Sequence, residues 1–339
     1  MLDPIDLARR LTSLRVQDFY NLLLKKGWTL GSAQALRVLQ GAIRYYHEDE
    51  VRILEGFWRQ ACGGLVVSLV PHFNRALFES LRRATASTPF VTILTDIADY
   101  PPHFWIERQE QFFICGSDRA AQQARDMGSS EQFIYQTSGM ILHPRFYQPI
   151  LANRHTERQR LGLTPHLPTG LVLFGGQGSE KMLEIAKELD KSGLDLQLIF
   201  LCGRNEKLAE QLRHRRGRLR TFVGGFTTEV PYYMYLADFF IGKPGPGSVS
   251  EALVMKLPVI VERNARTLPQ ERYNTDWIVE RQVGMVVRGP REISRALAEF
   301  LQPENFARYR SNAAALNNRA VFEIPAILHE IVERAAGVQ

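Results

Sequence analysis

Cysteine is scarce in this chain: only three cysteines, Cys62, Cys115 and Cys202, occur in 339 residues. They lie far apart, and no two of them form a Cys-x-x-Cys pair. Neither a disulfide framework nor a zinc knuckle is therefore expected. So few thiols suit a reducing compartment, and we expect a cytoplasmic protein.

Long hydrophobic runs are also absent. No apolar run approaches the roughly 20 residues that a helix needs to cross a bilayer. The opening residues, MLDPIDLARR, carry acidic side chains where a signal peptide would be basic and then apolar. Contact with a membrane is therefore expected to be peripheral, at the inner face of the cell membrane.

The chain has no excess of acidic residues, because 42 Lys and Arg stand against 36 Asp and Glu, for a formal net charge of +6. This balance suits an anionic partner, such as a nucleotide, a lipid headgroup or nucleic acid, without choosing among them. The segment RHRRGRLR, residues 213–220, holds five arginines and no acidic neighbour. It could bind anionic lipid at about 1 kcal/mol per residue, or it could be a solvated helix end.

Short apolar runs alternate with helical patterns along most of the chain. Residues 1–62 have the spacing of helices. The runs GLVVSLV, FVTILTD and QFFICG then resemble buried strands, and RALFESLRRA and SDRAAQQARDM resemble helices. This alternation predicts a parallel sheet covered by helices.

A second α/β pattern follows residues 138–170, which are rich in proline and mixed charge and which we interpret as a linker. The apolar runs LVLFGG, LQLIFLCG, RTFVGGF, DFFIGK, LPVIVE and GMVVRG predict a doubly wound domain. We place the domains at residues 1–150 and 151–339. The chain opens in helical sequence instead of a strand, so the first domain is predicted to lack its first βα unit.

Three loops of the second domain combine glycine with the start of a helix: FGGQGSE, LCGRNEK and GKPGPGSVSEA. Ligands of open α/β sheets bind at the carboxyl ends of the strands, where helix N-termini offer unpaired N–H groups and partial positive charge. Glycine is also common in ordinary turns. Three such loops in one domain nevertheless favour a nucleotide or sugar-phosphate site.

The polar residues near these loops have two interpretations each. Ser248-x-x-Glu251 has the spacing of a helix capping box, which the spacing favours, and the Glu251 carboxylate could alternatively bind ribose hydroxyls. Gln270, Glu271 and Asn274 suit sugar hydroxyls or a solvated loop. The sequence lacks an Asp-x-Asp pair that would hold a metal against a nucleotide-sugar. Neutralising the phosphates would then fall to helix dipoles and basic side chains.

Polar residues also follow the strands of the first domain, where VPHFNRALF and TDIADYPPHFWIER supply His72, Asn74, Asp96, His103 and Trp105. A lone histidine is more often structural than catalytic. Two histidines and an aspartate at one predicted edge make the functional interpretation equally strong. Asp96 or His72 is the candidate general base for an acceptor hydroxyl.

Together these motifs resemble a known family. The stretch GKPGPGSVSEALVMKLPVIV is similar to the GPGT-x-x-EA motif of the monogalactosyldiacylglycerol synthases and bacterial diacylglycerol glycosyltransferases, which belong to glycosyltransferase family 28. The segments FGGQG, CGRN, VGGF, PQERYN, SLVPHFN, TDIADYPPHFW and SGMILHPRF extend the resemblance over nearly the whole chain.

The resemblance implies a GT-B fold, in which two Rossmann-like domains face a cleft and the C-terminal domain binds the donor. We expect the last helix to pack back on the first domain. The implied enzyme inverts the sugar while moving galactose or glucose from UDP-galactose or UDP-glucose to diacylglycerol. It needs no cofactor or essential metal, works at an anionic membrane surface and binds no nucleic acid. The alternatives are a non-catalytic relative that binds nucleotide or lipid, and an enzyme that uses UDP-N-acetylglucosamine.

The resemblance also assigns site residues by position. The residues implied to frame the nucleotide and its phosphates are Gly175, Gly176, Gln177, Gly178, Cys202, Gly203, Arg204, Asn205, Phe226, Lys243, Gly245, Pro246, Gly247 and Ser248. Glu251 would bind the ribose, and the sugar would contact Gln270, Glu271 and Asn274. The residues implied to line the acceptor side are Asp96, His103, Trp105, Gly139 and Met140.

The chain departs from the family pattern in two places. The family opens with a strand and a GGGH loop whose histidine acts near the acceptor, and this sequence begins without them. Either the true start lies upstream or the protein is a non-catalytic relative. Pro269 and Tyr273 stand where the family has glycines around its Gln-Glu pair, which leaves the donor sugar open.

Overall fold

The computed structural model describes residues 41, 43–60 and 63–337. The expected helices before residue 41, and Cys62, lie outside this part of the chain. The structure divides into two compact units. The first contains the described residues up to Ile141, together with Leu268–Tyr273 and the residues from Asn318 onward. The second contains Leu142–Thr267 and Asn274–Asn317.

The first unit is built on a four-stranded parallel sheet with the strand order β1-β2-β3-β4. Its elements up to Ile141 are α1 (His47–Gln60), β1 (Val66–Ser68), α2 (Asn74–Ala84), β2 (Phe90–Ile93), β3 (Phe112–Cys115), α3 (Asp118–Asp126) and β4 (Ile134–Gln136). The three predicted strands and the two helices α2 and α3 are therefore confirmed. Strand β4 was not predicted, because it has only three residues, of which two are partly buried and Gln136 is exposed.

The second unit is built on a six-stranded parallel sheet with the order β10-β9-β8-β5-β6-β7. Its elements begin with α4 (Arg154–Arg160), β5 (Thr169–Leu173), α5 (Lys181–Lys191), β6 (Gln197–Leu201), α6 (Glu206–Arg213), β7 (Arg220–Gly224) and α7 (Val230–Leu236). They continue with β8 (Phe239–Gly242), α8 (Pro246–Val254), β9 (Val259–Glu262), α9 (Pro269–Glu280), β10 (Gly284–Val287), α10 (Ile293–Phe300) and α11 (Pro303–Ala315). All six predicted strands are present.

Alternating side chains give each sheet two apolar faces. In the first sheet, Phe90 packs with α1 and α2, and Phe113 packs with α3. Val91 and Ile114 point to the opposite face, where they pack against the last helix, α12 (Ala320–Gly337). The second sheet is likewise covered on both faces, by α5, α6 and α10 on one and by α7 and α8 on the other. Because both sheets are parallel, each collects its strand ends and the following loops along one carboxyl edge.

The predicted linker is wrong, because most of residues 138–170 is folded into the second unit. Helix α4 lies within it, and Arg158 of that helix is only 3% exposed. The Asp238 carboxylate accepts hydrogen bonds from Arg154 and Arg158 at 2.8 Å each and from the backbone N–H of Thr169 at 2.8 Å. One partly buried carboxylate thus ties this segment to the sheet.

The basic segment 213–220 is only partly available to a partner. Arg213 pairs with Glu206 at 2.5 Å, and Arg215 pairs with Asp190. Asp190 also accepts a hydrogen bond from the backbone N–H of Leu219 at 3.1 Å. The arginines that remain exposed are Arg216, Arg218 and Arg220. Among the described helices, none is long and apolar enough to cross a membrane.

We expect Asp238→Ala to lower the free energy of unfolding by about 3–5 kcal/mol, because it leaves the buried Arg158 guanidinium without its carboxylate. Urea unfolding of the full chain measures this loss. Lys191→Ala is the matched control, since it breaks an exposed pair with Glu188 that is worth about 0–1 kcal/mol. An Asp238→Ala loss no larger than the control would contradict the role of this carboxylate.

Candidate nucleotide-sugar site

The loops after β5 and β6 touch each other at the carboxyl edge of the second sheet. The backbone N–H of Arg204 donates to the Gly176 carbonyl at 2.9 Å. Gly203 has a left-handed φ of 58°, and a Cβ atom there would lie 2.2 Å from the Gly176 oxygen. Only glycine therefore fits at position 203. The four residues of the β5 loop that were assigned to the nucleotide, Gly175, Gly176, Gln177 and Gly178, lie beside this contact.

The loop after β7 joins the same edge, because the Cys202 N–H donates to the Gly224 carbonyl at 2.9 Å. Phe226 follows and is 58% exposed, with the Arg204 guanidinium 4.8 Å from the centre of its ring. An exposed aromatic ring beside a cation suits the stacking of a planar base. Asn205 has a structural role, since its side-chain oxygen caps α6 by accepting from the Leu208 N–H at 3.1 Å.

Helix α8 begins at the glycine- and proline-rich loop after β8. Gly245 is its N-cap residue, Pro246 is its first residue, and among the described residues no side chain caps its first N–H groups. The predicted capping box is wrong, because Pro246 suits the first helical position and starts the helix before Ser248. The Ser248 hydroxyl instead donates to the Gly245 carbonyl at 3.4 Å. Gly247 is exposed in the first turn, with open space where a side chain would lie.

The segment PQERYN forms the first turns of α9, so the interpretation of it as a loop is wrong. Asn274 is fully buried and donates from Nδ2 to the Pro244 carbonyl at 2.7 Å. Its Oδ1 is buried and has no hydrogen-bond partner among the described residues. Asn274 thus supports the loop before α8. Gln270 and Glu271 precede it, in the part of the chain that groups with the first unit.

Glu251 lies on α8, one turn beyond its start. Burial raises the pKa of its carboxyl to about 7, and the positive charge of Arg145 acts in the opposite direction. Within the described part of the chain, no side chain or backbone group donates a hydrogen bond to this carboxyl. A half-buried carboxylate without donors can accept from the hydroxyls of a ligand. The sequence interpretation missed Arg145, which lies in the supposed linker, although the motif SGMILHPRF contains it.

The first unit has its own polar edge, after β1 and β2. The Asp96 carboxylate accepts from the indole N–H of Trp105 at 2.8 Å, and Asn74 donates to the Trp105 carbonyl at 2.9 Å. Trp105 is only 2% exposed. Its contacts therefore organise the loop after β2, which weighs against a direct contact between its ring and an acceptor.

Both histidines of this edge have left-handed backbones, with φ of 69° at His72 and 63° at His103. The His72 N–H donates to the Phe104 carbonyl at 2.7 Å, and its ring packs edge-on against the Phe104 ring. Burial lowers the pKa of His72 to about 4, so its imidazole is neutral at neutral pH and a weak base. His103 is more exposed and lies 3.6 Å from the Glu107 carboxylate.

Asp99 is a second candidate base, which the sequence interpretation did not select. Burial raises the pKa of its carboxyl to about 6, against the lowering effect of hydrogen bonds from the backbone N–H groups of Trp105, Ile106 and His103. The bond from Trp105 measures 2.6 Å. A carboxyl with a pKa close to neutrality, at the edge where loops collect, is typical of catalytic groups and also of buried structural ones.

Gly139 and Met140, assigned to the acceptor side, are packed within the first unit. A Cβ atom at Gly139 would lie 2.5 Å from the Asn318 side chain. Asn318 donates to the Met140 carbonyl at 2.8 Å, and Met140 is buried. Both residues therefore hold the segment that leads into α12.

The two sheets and their loops define the class of protein. The fold is that of the GT-B glycosyltransferases. The Staphylococcus aureus MnaA protein, solved with UDP, aligns over 85% of this chain and 80% of that chain with a TM-score of 0.59 and 14% identity. MurG of Acinetobacter baumannii aligns over 83% of this chain and 77% of that chain, with a TM-score of 0.56 and 9% identity. At these identities the likeness concerns the fold alone.

Sequence similarity is more specific. Residues 171–324 match the glycosyltransferase family 28 C-terminal domain. Monogalactosyldiacylglycerol synthase of Spinacia oleracea is 29% identical over 255 residues, 72% of this chain and 48% of that protein. Probable monogalactosyldiacylglycerol synthase 2 of Oryza sativa subsp. japonica is 30% identical over 311 residues, which are 88% of this chain and 64% of that protein. The chain spans about half the length of the first of these relatives.

We expect Gly203→Ala to destabilise the second unit by at least about 1–3 kcal/mol, because alanine is strained at this φ and its methyl group would meet the Gly176 backbone. Thermal unfolding of the full chain measures the effect. Gly176→Ala is the control in the same contact, since nothing lies within 4 Å of a Cβ atom there. Equal losses in the two variants would contradict the close approach of the two loops.

We expect Glu251→Gln to stabilise the protein by up to roughly 3 kcal/mol at pH 8 and by much less at pH 5. The pKa of Glu251 is about 7 in the folded chain, above the usual value. The stability that the neutral Glu251 carboxyl contributes is therefore complete at pH values below the pKa of Glu251 in the unfolded chain. It is lost as the pH rises through the pKa of Glu251 in the folded chain. Urea unfolding at the two pH values measures the difference. A variant less stable than the wild type at pH 8 would show that the ionised carboxylate has partners in the free protein.

Proposed function

We propose that the protein transfers a hexose from a UDP-sugar to diacylglycerol, with inversion at the anomeric carbon, and so makes a glycolipid. The observation that carries this proposal is the convergence of glycine-bearing loops and the uncapped start of α8 at one edge of the family 28 domain. The similarity to monogalactosyldiacylglycerol synthases supports the lipid acceptor, and solved structures of the same fold hold UDP or UDP-glucose.

The nucleotide would lie against the loops after β5, β6 and β7. Its base would stack on Phe226, whose exposed ring already contacts the Arg204 guanidinium. The Glu251 carboxylate would accept from the ribose hydroxyls, a task that its lack of donors permits. Gln270 and Glu271 are assigned to the hexose by resemblance alone.

The leaving UDP needs its charge balanced as the glycosidic bond breaks. The first N–H groups of α8, near Gly247 and Ser248, point out of the helix without a capping side chain. The partial positive charge of a helix start stabilises phosphate there. Lys243 lies in the same loop, with its Cε atom 3.8 Å from where a Cβ of Gly175 would lie. These groups would serve in place of a metal ion, so we expect transfer to persist in EDTA.

The acceptor hydroxyl would be bound at the polar edge of the first unit and would lose its proton to a carboxylate there. Asp96 is the first candidate, as the sequence indicated, and Asp99 is the second because its pKa of about 6 suits a base near neutral pH. His72 is less suited, because burial keeps its pKa at about 4. The exposed arginines Arg216, Arg218 and Arg220 would supply part of the contact with an anionic membrane.

The decisive experiment is UDP release by the 339-residue chain, with diacylglycerol in anionic liposomes and with UDP-galactose and UDP-glucose supplied separately. We expect lipid-dependent release with one donor. UDP binding without release would favour a non-catalytic relative, and release with UDP-N-acetylglucosamine alone would favour the third alternative. A folded chain that binds no uridine nucleotide would refute the proposal.

Glu251→Gln tests the donor half of the proposal. We expect it to weaken UDP binding about tenfold or more, because a neutral amide replaces the charged acceptor of the ribose hydroxyls. Isothermal titration calorimetry measures the affinity. Glu299→Gln, an exposed change on α10, is the matched control and should bind as the wild type does. Equal affinities of the two variants would remove Glu251 from the site.

A further inference from the structure

Arg145 lies in a short turn that packs against α8. The 3₁₀ turn Pro144–Tyr147 contacts this helix, and the buried Phe146 side chain belongs to the same apolar cluster as Val249 and Ala252. The turn is therefore fixed to the helix that begins the phosphate loop and carries Glu251. Nothing in the pattern of the sequence predicted this placement, since the turn was assigned to a linker.

The Arg145 guanidinium reaches from this turn to the loop after β7. Its Nη1 donates to the Thr228 carbonyl at 2.7 Å, and its Nε donates to Nδ1 of His143 at 3.1 Å. His143 Nδ1 also accepts from the backbone N–H of Arg145 at 3.2 Å. Thr228 is close in sequence to Phe226. The arginine thus anchors the loop that carries the exposed aromatic ring.

Arg145 also acts on Glu251 through its charge. Burial favours the neutral carboxyl of Glu251, and the Arg145 charge opposes burial without forming a hydrogen bond to the carboxyl. Among the described residues, the charge that lowers the pKa of this carboxyl is that of Arg145, in the turn packed against α8. The oxygens of Glu251 therefore remain available as acceptors.

We propose that Arg145 is a positioning residue for the donor. It links the loop after β7, near the proposed base-stacking ring of Phe226, to Glu251, the proposed acceptor for the ribose. Its guanidinium holds the loop after β7 through the Thr228 carbonyl and supplies the positive charge that balances Glu251. This inference rests on the proposed binding of a uridine nucleotide at this edge. It assigns a role in nucleotide binding to an arginine that contacts the ligand only through other groups.

The test is UDP binding by the full chain between pH 6 and pH 9, measured by titration calorimetry on the wild type and on Arg145→Gln. We expect Arg145→Gln to bind UDP about tenfold or more weakly at pH 7. We also expect the pH at which affinity reaches half its high-pH value to move upward, because the Arg145 charge no longer lowers the pKa of Glu251. At pH 9 the loss should shrink to the part that comes from the freed loop.

Two further variants separate this role from a structural one. Arg145→Lys keeps the charge and should restore most of the wild-type pH midpoint, though its affinity stays lower because lysine cannot bond Thr228 and His143 together. Lys256→Gln removes another cationic side chain near α8, which donates to the carbonyls of Ala314 and Leu316. It should leave both the affinity and the pH midpoint unchanged.

The outcomes distinguish failure of this inference from failure of the proposed function. If the wild type binds no UDP, the proposed function is wrong. If the wild type binds UDP and a folded Arg145→Gln has the same affinity and midpoint, the inference alone is wrong. A loss that is equal at every pH would also overturn it, because it would leave Arg145 with no electrostatic effect on Glu251. If Arg145→Gln does not fold, a midpoint displaced in Arg145→Lys would overturn it.

Discussion

The contact between the backbones of Gly176 and Gly203 is the constraint on which the carboxyl edge of the second sheet depends. Two parallel strands end side by side there, and the loops that follow can meet only because residue 203 has no side chain, since a Cβ atom at Gly203 would lie 2.2 Å from the Gly176 oxygen. The hydrogen bond from the Arg204 backbone N–H to Gly176 then fixes the backbone at Arg204, whose guanidinium lies beside the Phe226 ring. Glycine at position 203 is therefore required by packing before any ligand is considered.

Two opposing effects act on the charge of Glu251 at the same edge. Burial favours a neutral Glu251, whereas the proposed binding of ribose hydroxyls would work best with the ionised carboxylate. Arg145 shifts this balance toward the ionised form from a turn that is itself fixed by apolar packing. A conflict of this kind between stability and binding is common where a site is under selection for its activity.

The first unit concentrates its backbone strain at the corresponding edge of its own sheet. His72 and His103 both adopt left-handed conformations, which non-glycine residues reach at a cost of about 1–3 kcal/mol. The surrounding contacts of Trp105 with Asp96 and Asn74 hold these residues in place. The sequence identified this group of residues as a candidate site. It could not show that Trp105 is buried, or that Asp99 is the carboxyl with a pKa near 6.

The two α/β units, the six strands of the second sheet and the glycine-bearing loops could all be predicted from the sequence alone, because apolar runs and loop glycines act over a few neighbouring residues. Tertiary structure alone decided which polar groups are engaged. Asn274 supports the loop at Pro244, 30 residues away, and Arg145 bonds Thr228, 83 residues away. Local sequence patterns cannot predict such partners, since these residues meet only when the strands are brought together in their spatial order. The same limit explains the supposed linker, whose buried Arg158 is held by Asp238 across 80 residues.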